Sequence, residues 1–512
     1  MKKRRIIVNN DYYNIFQITP PVKDQDILDA VDKIADSQVD SLFLMVPAML
    51  GAGKNEYINP ELVRLYGHPE TDPCINTMEE IRAAGKDPFE MILMRAHQKK
   101  MEFFASVRMN DTHYLDQIYN PWVYQFYYDN LDHRVGEPKG RLNTEFDYRK
   151  SVIRERMLAI FAEAVERYDV DGVELDCTRN CKFFPAGDAT TGSAAECAPI
   201  MTDFVRQVRE VLGKAGKKKK KKLLLAVTIP YSLLGARKEG LDLPVWARLG
   251  LVDIVCMSSP FLADFDRDIR DTKLKLPGAQ VYAGCDRNFE WPGRVVPMEA
   301  YRAMAMNYLR QGADGTYLYN VMDWTMNMSR LTAAVLRDGG QAPTVADLNL
   351  IHEAGELATL EHLDKLYLVS KGAESADKPY ASLPVTVPAK GEVTVRLTVG
   401  DDVAQASAVD RIKSIQLQTV SSDCADYNNY TVLLNAVDLS RQYAFMPYAE
   451  KPMQALLFPE PNRRNPAPPV EKVRRHPVRP IDLHLGVNFV TIRSYRDPLT
   501  ITDVELAIHY RT

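Results

Sequence analysis

The 512-residue sequence lacks a long apolar run, because no segment approaches the roughly 20 apolar residues that a membrane-spanning helix needs. It also lacks the pattern of an export signal. The first five residues are mostly basic, but only Ile6–Val8 is apolar before polar residues resume, whereas a signal peptide carries roughly 7–15 apolar residues there. We therefore predict a cytoplasmic protein without a membrane partner.

An excess of charge of one sign is also absent. The chain carries 64 Lys and Arg against 68 Asp and Glu, a formal net charge of −4. This balance predicts no general attraction to nucleic acid or to anionic lipid. The lysine run at 217–222 departs from it, but its place between a helix pattern and a strand pattern indicates a solvated turn.

Cysteine is scarce, with seven residues that form an odd and scattered set. Several fall on predicted core strands, which favours buried reduced thiols over disulfides. Cys177, Cys181 and Cys197 lie close together in sequence, but no CxxC pair or second ligand cluster accompanies them. We therefore predict no bound metal and no other cofactor.

The sequence does contain a regular alternation of strand and helix patterns up to about residue 325. Such alternation predicts a parallel sheet with right-handed crossovers. Eight strands favour closure into an α/β fold of the (β/α)8 TIM barrel type. The predicted strands are 5–10, 41–46, 102–110, 172–177, 223–229, 252–258, 280–286 and 315–320.

The pattern changes after about residue 355 to short alternating strands without long helices, which predicts a C-terminal antiparallel β-sandwich. We place the barrel at 1–355 and the sandwich at 356–512. The proline-rich, basic segment 459–480 is expected to be an exposed loop. The predicted sandwich strands are 365–370, 392–399, 412–419, 430–434, 488–494 and 503–510.

The fourth predicted strand is apolar on one side and acidic on the other. Because strand side chains alternate, Glu174 and Asp176 share the face opposite Val173 and Leu175. Two carboxyl groups in different surroundings are what glycoside hydrolysis requires, one to donate a proton and one to attack or to activate water. We predict Asp176 as nucleophile or base and Glu174 as acid or structural anchor, with Asp286 as the competing partner.

Hydrogen-bonding side chains follow the other predicted strands as well. The carboxyl ends of parallel strands converge at one end of a barrel, and buried polar groups are costly unless they are paired or used. Flat rings with a polar edge also suit sugar rings. We predict substrate contacts from Asn10, Arg108, Asn110, Asp111, His113, Arg179, Tyr319 and Asn320, and from Trp122, Trp291 and Trp324.

The segments 104–113 and 168–176, followed by Arg179 and Phe183–Phe184, resemble the glycosyl-hydrolase-like (β/α)8 proteins known as family-ten-like glycosylhydrolases. The resemblance covers roughly residues 5–330. Segments 486–490 and 503–506 look like jelly-roll carbohydrate-binding modules attached to such barrels. The resemblance implies a glycosidase-type barrel and an oligo- or polysaccharide substrate.

The chain departs from two better-known barrel patterns. It lacks the Asn-Glu pair that ends the fourth strand in the large clan of retaining glycosidases, and it lacks the final Glu of the chitinase-like DxxDxDxE pattern. A fourth-strand aspartate as nucleophile, as in alpha-galactosidase-like barrels, is the analogy that fits Asp176. The choice of acid and base therefore stays open at this point.

Two further functions are compatible with the same residues. One is a non-catalytic carbohydrate-binding protein on a glycosidase scaffold. The other is a metal-dependent hydrolase that uses Asp111, His113, Asp176 and Asp286, although no HxH or HExxH pair is present. The sequence gives no prediction of oligomeric state.

Overall fold

The structure is a computed structural model, and it describes the greater part of the chain. Contacts divide the chain into two compact units, which are Met1–Pro260 with Arg270–Gly284 and Tyr317–Met328, and Phe261–Ile269 with Cys285–Thr316 and Ser329–Thr512. The boundary at 355 stays a prediction. The described residues are 2–10, 15, 18, 21–46, 50–51, 54–55, 77, 80–81, 83–111, 125–135, 145–178, 181–185, 193–230, 232–258, 265–284, 298–319, 350–370, 383–424, 427–439 and 472–511.

Eight strands close into a barrel in which each strand lies beside its neighbours in sequence, and the last lies beside the first. Their pairings are parallel wherever the register is given. The predicted (β/α)8 fold and all eight predicted strands are confirmed. The strands are β1 Ile6–Asn10, β2 Val39–Met45, β3 Glu102–Arg108, β4 Gly172–Asp176, β5 Leu224–Ile229, β6 Ile254–Met257, β7 Gln280–Gly284 and β8 Gly315–Tyr319.

Helices precede or follow these strands, as the sequence predicted. The residues Met201, Phe204 and Val208 of one long helix recur at helical spacing and are all buried, because this stripe faces inward. The helices are α1 Asp24–Asp32, α2 Pro88–Gln98, α3 Gln125–Asp129, α4 Ser151–Arg167, α5 Ala198–Lys219, α6 Leu233–Lys238, α7 Leu243–Arg248, α8 Ile269–Lys275, α9 Met298–Arg310, α10 Leu350–Glu353, α11 Leu357–Leu360 and α12 Val403–Ala408. Among the described helices, none is long and apolar enough to cross a membrane.

The interior of the barrel is packed with large side chains below its carboxyl end. The rings of Phe43 and Phe104 stack with their centroids 4.3 Å apart, and Tyr317 meets Phe43 edge-on. At the start of β4, a Cβ on Gly172 would lie 2.4 Å from the ring of Phe104, so this position needs glycine. These rings belong to one buried cluster that fills the lower interior of the barrel, and Glu174 and Asp176 lie nearer its carboxyl end.

The amino end of the barrel is fixed by a buried ion pair. Arg4 donates from Nε to Glu102 at 2.6 Å and from Nη2 to the same carboxylate at 3.0 Å, and its Nη1 reaches Gln280 at 2.7 Å. A buried charge is tolerated only where such partners replace water. Three strand regions are therefore tied together at the end opposite the predicted site.

The second unit contains two antiparallel sheets, which confirms the predicted sandwich strands. The strands are β9 Lys365–Leu368, β10 Val385–Val387, β11 Glu392–Val399, β12 Ile412–Ser421, β13 Tyr430–Leu434, β14 Val437–Asp438, β15 Lys472–Pro477, β16 Gly486–Ser494 and β17 Leu499–Tyr510. The sheet orders are β9-β17-β12-β15, with β10 also on β17, and β11-β16-β13-β14. The hydroxyls of Thr419 and Tyr430 meet between the sheets at 3.1 Å.

The predicted exposed loop at 459–480 is wrong for the last part of that segment. Within that expected exposed loop, Lys472–Pro477 forms strand β15 against β12. Val473 and His476 are buried there, and the guanidinium of Arg474 lies 5.0 Å from the ring centre of Tyr430. The prolines and arginines concealed a short edge strand, because edge strands tolerate both residue types.

Candidate active site

The carboxyl end of β4 carries the two predicted carboxyl groups into the barrel. Strand alternation places Glu174 and Asp176 on the inner face, and both are almost fully buried, with 0% and 1% of their surface exposed. In the register of the barrel, Ser106 lies opposite Glu174, and Arg108 lies opposite Asp176. The two carboxyl groups therefore occupy successive layers, with Glu174 the deeper one.

Glu174 is enclosed by neutral hydrogen-bond donors. Asn9 Nδ2 donates to one of its oxygens at 2.8 Å, Tyr317 OH donates to the other at 2.7 Å, and the hydroxyl of Thr228 also donates there. Burial, and secondarily the negative charge of Asp176, raise the pKa of Glu174 to about 7. At neutral pH a large fraction of Glu174 is therefore protonated.

Asp176 has different surroundings. Its carboxylate accepts from the backbone N–H of Thr178 at 2.9 Å, from the Thr178 hydroxyl and from Tyr319 OH at 3.2 Å. The guanidinium of Arg108 lies 3.9 Å away, measured from Nε. Asp176 thus has a positive charge beside it, whereas Asn9, Tyr317 and Thr228, which donate to Glu174, are neutral. Unequal surroundings of this kind separate two carboxyl groups into different roles.

A line of polar groups leads from the barrel interior toward solvent. Arg108 Nη1 donates to Asp111 at 2.9 Å, so the guanidinium connects two aspartates. Side-chain exposure rises from 1% at Asp176 to 8% at Arg108 and 25% at Asp111. Asp111 is the carboxylate nearest to solvent in this line, and it therefore lies at the mouth of the barrel, where substrates bind in this fold.

The Asn110 side chain makes three hydrogen bonds to the backbone of other segments of the chain. Its Nδ2 donates to the carbonyls of Phe146 and Lys182, at 3.1 and 2.6 Å, and its Oδ1 accepts from the Phe146 N–H at 3.0 Å. All three contacts join segments of the chain near the mouth. The substrate contact of Asn110 stays a prediction, and the contacts shown are those of a brace.

We expect Asn110→Ala to lower the free energy of unfolding by about 2 kcal/mol, because it leaves buried backbone groups of Phe146 and Lys182 without partners. Urea denaturation measures this change. Thr202→Val provides a comparison, since it removes the hydroxyl that accepts a single hydrogen bond from the Trp246 indole at 2.9 Å with little change in volume, and it is expected to cost about 1 kcal/mol. An Asn110→Ala protein as stable as wild type would contradict the bracing role.

The structure brings together several residues that sequence reasoning did not select. Asn9 donates to Glu174, and Thr228 and Tyr317 complete the enclosure of that carboxyl group. Period-two alternation could have identified Asn9 and Thr228. They lie two positions after Ile7 and Ala226, which belong to the buried cluster inside the barrel. Asn10 is also buried, and its substrate contact stays a prediction.

Several predicted site residues lie outside the described part of the chain. Arg108 and Tyr319 are described and lie beside Asp176, Asp111 is described and lies beside Arg108, and the substrate contacts of all three stay predictions. The residues outside the described ranges are Asp286, His113, Arg179, Asn320, Trp122, Trp291 and Trp324.

No group of three or more His, Cys, Asp or Glu side chains suited to a metal ion occurs within the described ranges. Two members of the metal-dependent alternative, His113 and Asp286, lie outside those ranges. The described cysteines are free thiols, and they are Cys177, Cys181, Cys197, Cys256 and Cys424. Cys177 is buried on the face of β4 opposite the acids, and burial raises the pKa of its thiol.

Comparison with known proteins yields structural matches only. No family model matches the chain, and no curated protein matches it in sequence. Solved structures with a similar fold include alpha-L-fucosidase isoenzyme 2 from Paenibacillus thiaminolyticus, at 12% identity and a TM-score of 0.41, covering 69% of this chain and 49% of that one. The glycoside hydrolase domain of PgaB (BpsB) from Bordetella bronchiseptica matches at 12% identity and a TM-score of 0.40, covering 67% and 100%.

A third match is the alpha-galactosidase AgaA from Geobacillus stearothermophilus, at 9% identity and a TM-score of 0.37, covering 100% of this chain and 56% of that one. The present chain thus spans little more than half the length of that enzyme. The same holds for a cycloisomaltooligosaccharide glucanotransferase from Paenibacillus sp., of which 58% is covered. Similarity at this level identifies neither a reaction nor a substrate.

Proposed function

We propose that this protein is a glycoside hydrolase that acts on an oligo- or polysaccharide, with Asp176 as its reacting carboxylate. The observation that carries the proposal is the pair of inward carboxyl groups on β4 in unlike surroundings. Glu174 has neutral donors and a raised pKa, while Asp176 has Arg108 beside it. An ionised carboxylate held beside a neutral partner suits attack on an anomeric carbon or activation of water, the step that a glycosidase needs from such a group.

The two residues take different parts in the proposed reaction. A protonated Glu174 leaves Asp176 as the single negative charge of the pair, so the charge is concentrated at the mouth side. There Asp176 either attacks the anomeric carbon, to form a glycosyl ester that water later hydrolyses, or removes a proton from the water that attacks this carbon. In both routes the bond between the anomeric carbon and the leaving oxygen breaks. Glu174 acts as a positioning residue that keeps a neutral group behind Asp176. The proton for the leaving oxygen then comes from a second acid at the mouth, for which Asp286 is our candidate.

Turnover by the purified full chain tests the proposal. We would incubate the protein with a panel of aryl glycosides and polysaccharides and measure the release of aglycone and of new reducing ends. Release by wild type that is lost in Asp176→Asn supports glycoside hydrolysis. No release from any substrate, or release that Asp176→Asn leaves unchanged, removes the proposal.

A non-catalytic carbohydrate-binding protein is the second candidate, and the enclosure of both carboxyl groups favours it. Glu174 and Asp176 expose 0% and 1% of their surface, and protein donors occupy both. Calorimetry against the same glycans separates the two functions. Binding without turnover, unchanged by Asp176→Asn, favours the binding protein.

A further inference from the structure

The amino end of the barrel, opposite the candidate active site, carries an accumulation of exposed positive side chains. Helix α5 ends inside the lysine run just before β5, and α7 ends at Arg248 just before β6. Strands β5, β6 and β7 are neighbours in the barrel. Because parallel strands all begin at the same end, these basic segments share one rim. The exposed residues there include Lys217, Lys218, Lys220 and Arg248.

The N-terminal segment adds two more cations to the same rim. The side chain of Gln280, the first residue of β7, donates to the backbone carbonyl of Lys2 at 3.0 Å. Arg4 donates to the same carbonyl at 3.2 Å. These bonds hold Lys2 at the start of β7, and both Lys2 and Lys3 are exposed. We call Lys2, Lys3, Lys217, Lys218, Lys220 and Arg248 the basic rim.

Three carboxylates near the basic rim are engaged by other cations. Asp253 accepts from Arg209 at 2.9 Å and from Lys222 at 2.6 Å. Asp169 lies 2.7 Å from Lys221. Asp271 lies 2.5 Å from Lys275. Because these carboxylates already have partners, they neutralise little of the charge on the rim.

Two leucines protrude next to these cations. Leu249 follows Arg248 directly and is 53% exposed, and Leu274 in α8, just before β7, is 78% exposed. Apolar side chains that enter the acyl boundary while neighbouring lysines contact head groups are typical of proteins that lie on anionic membranes.

We infer that the basic rim with Leu249 and Leu274 is a docking surface for an anionic lipid bilayer. The rim attracts lipid phosphates and carboxylates, and the two leucines enter the head-group boundary. The surface lies at the amino end of the barrel, so the mouth stays open to a substrate while the protein is bound. The net charge of −4 predicted no general attraction to anionic lipid. The inference differs from that prediction because it depends on a local excess of positive charge at one end of the barrel.

Co-sedimentation with lipid vesicles tests the inference. The full-length protein is incubated at 0.1 M NaCl with vesicles of phosphatidylcholine alone, or of phosphatidylcholine with 30% phosphatidylserine. We expect binding only to the second kind, and its loss at 0.5 M NaCl, because salt screens exposed charges. The triple variant Lys217→Gln, Lys218→Gln, Lys220→Gln is expected to bind about 100-fold more weakly, at about fivefold per lysine.

A matched triple variant controls for loss of charge. Lys23, Lys86 and Lys150 are exposed lysines that precede helices α1, α2 and α4, at the end of the barrel opposite the basic rim. Their change to Gln should leave vesicle binding within about twofold of wild type. The double variant Leu249→Ser, Leu274→Ser should bind about tenfold more weakly, with its salt dependence unchanged. Circular dichroism checks that each variant is folded.

Two results would overturn the inference. One is equal binding, or no binding, to the two kinds of vesicle. The other is binding to double-stranded DNA that exceeds vesicle binding and is unaffected by the leucine changes, since phosphate backbones need cations but no protruding leucine. That second result assigns the rim to a nucleic acid.

Discussion

Asp176→Asn is expected to lower kcat/KM by about 10³-fold or more on any glycoside that the wild-type protein hydrolyses. An amide has the shape of the carboxylate but cannot attack carbon or accept a proton, and loss of such a group removes about 10²–10⁴-fold of rate. The variant keeps its hydrogen bonds, because Oδ1 still accepts from the Thr178 N–H and Nδ2 donates to Tyr319 OH. Initial rates and calorimetric glycan binding, measured on the same preparations, check both halves of the expectation.

Asp171→Asn serves as the matched control for this substitution. Asp171 lies immediately before β4, at the opposite end of the strand, where it accepts from the Phe103 N–H and contacts His97, both at 2.9 Å. The chemical change is the same as in Asp176→Asn, but Asp171 lies one strand length away from the mouth of the barrel. We expect activity within about twofold of wild type. Equal losses in the two variants would show that Asp176 acts through folding alone.

The fold was predictable because its signals are local and repeated. Each barrel strand is a short apolar run bounded by helix patterns, and helices such as α5 carry an apolar stripe at helical spacing. The pattern on β4 even specified which face the acids occupy. Strand β15 was missed, because prolines and arginines around Lys472–Pro477 resemble a loop, and its pairing with β12 depends on residues more than 50 positions away.

The candidate site was predictable only in part, for a related reason. Asp176, Arg108 and Tyr319 follow directly from strand ends. The enclosure of Glu174 requires Asn9, Thr228 and Tyr317, which come from three strands that are distant in sequence. Alternation within one strand gives the face of a residue but not its height in the barrel. Closure of the barrel sets that height, so contacts between layers became visible only in the structure.

Glu174 is expected to make the stability of the barrel depend on pH in a way that Glu174→Gln removes. Glutamic acid ordinarily titrates near 4.5, whereas Glu174 titrates at about 7 in the fold. The folded state therefore binds more protons than the unfolded state between these values, and its stability falls as pH rises through that window. The contribution of Glu174 is fully present below about pH 4.5, and about 3 kcal/mol is lost by pH 8.

The difference between wild type and Glu174→Gln isolates this effect, because all other titrating groups are shared. We expect the variant to gain about 3 kcal/mol relative to wild type as the pH rises from 4.5 to 8, measured by urea denaturation. A glutamine with its oxygen toward Asn9 still accepts that bond, and its nitrogen donates to the hydroxyls of Tyr317 and Thr228, which accept as well as donate. Parallel stability curves for the two proteins would mean that Glu174 titrates as an ordinary acid.

The same variant decides between the two roles of Glu174. If it is a positioning residue, ionisation above pH 7 places a second negative charge behind Asp176, and wild-type kcat/KM falls along that limb. Glu174→Gln then keeps kcat/KM within about tenfold of wild type and does not show the fall in kcat/KM above pH 7, because the glutamine never ionises. If Glu174 instead donates the proton to the leaving oxygen, the variant is as inactive as Asp176→Asn at every pH. A pH profile of kcat/KM from 5 to 9 for both proteins distinguishes these results.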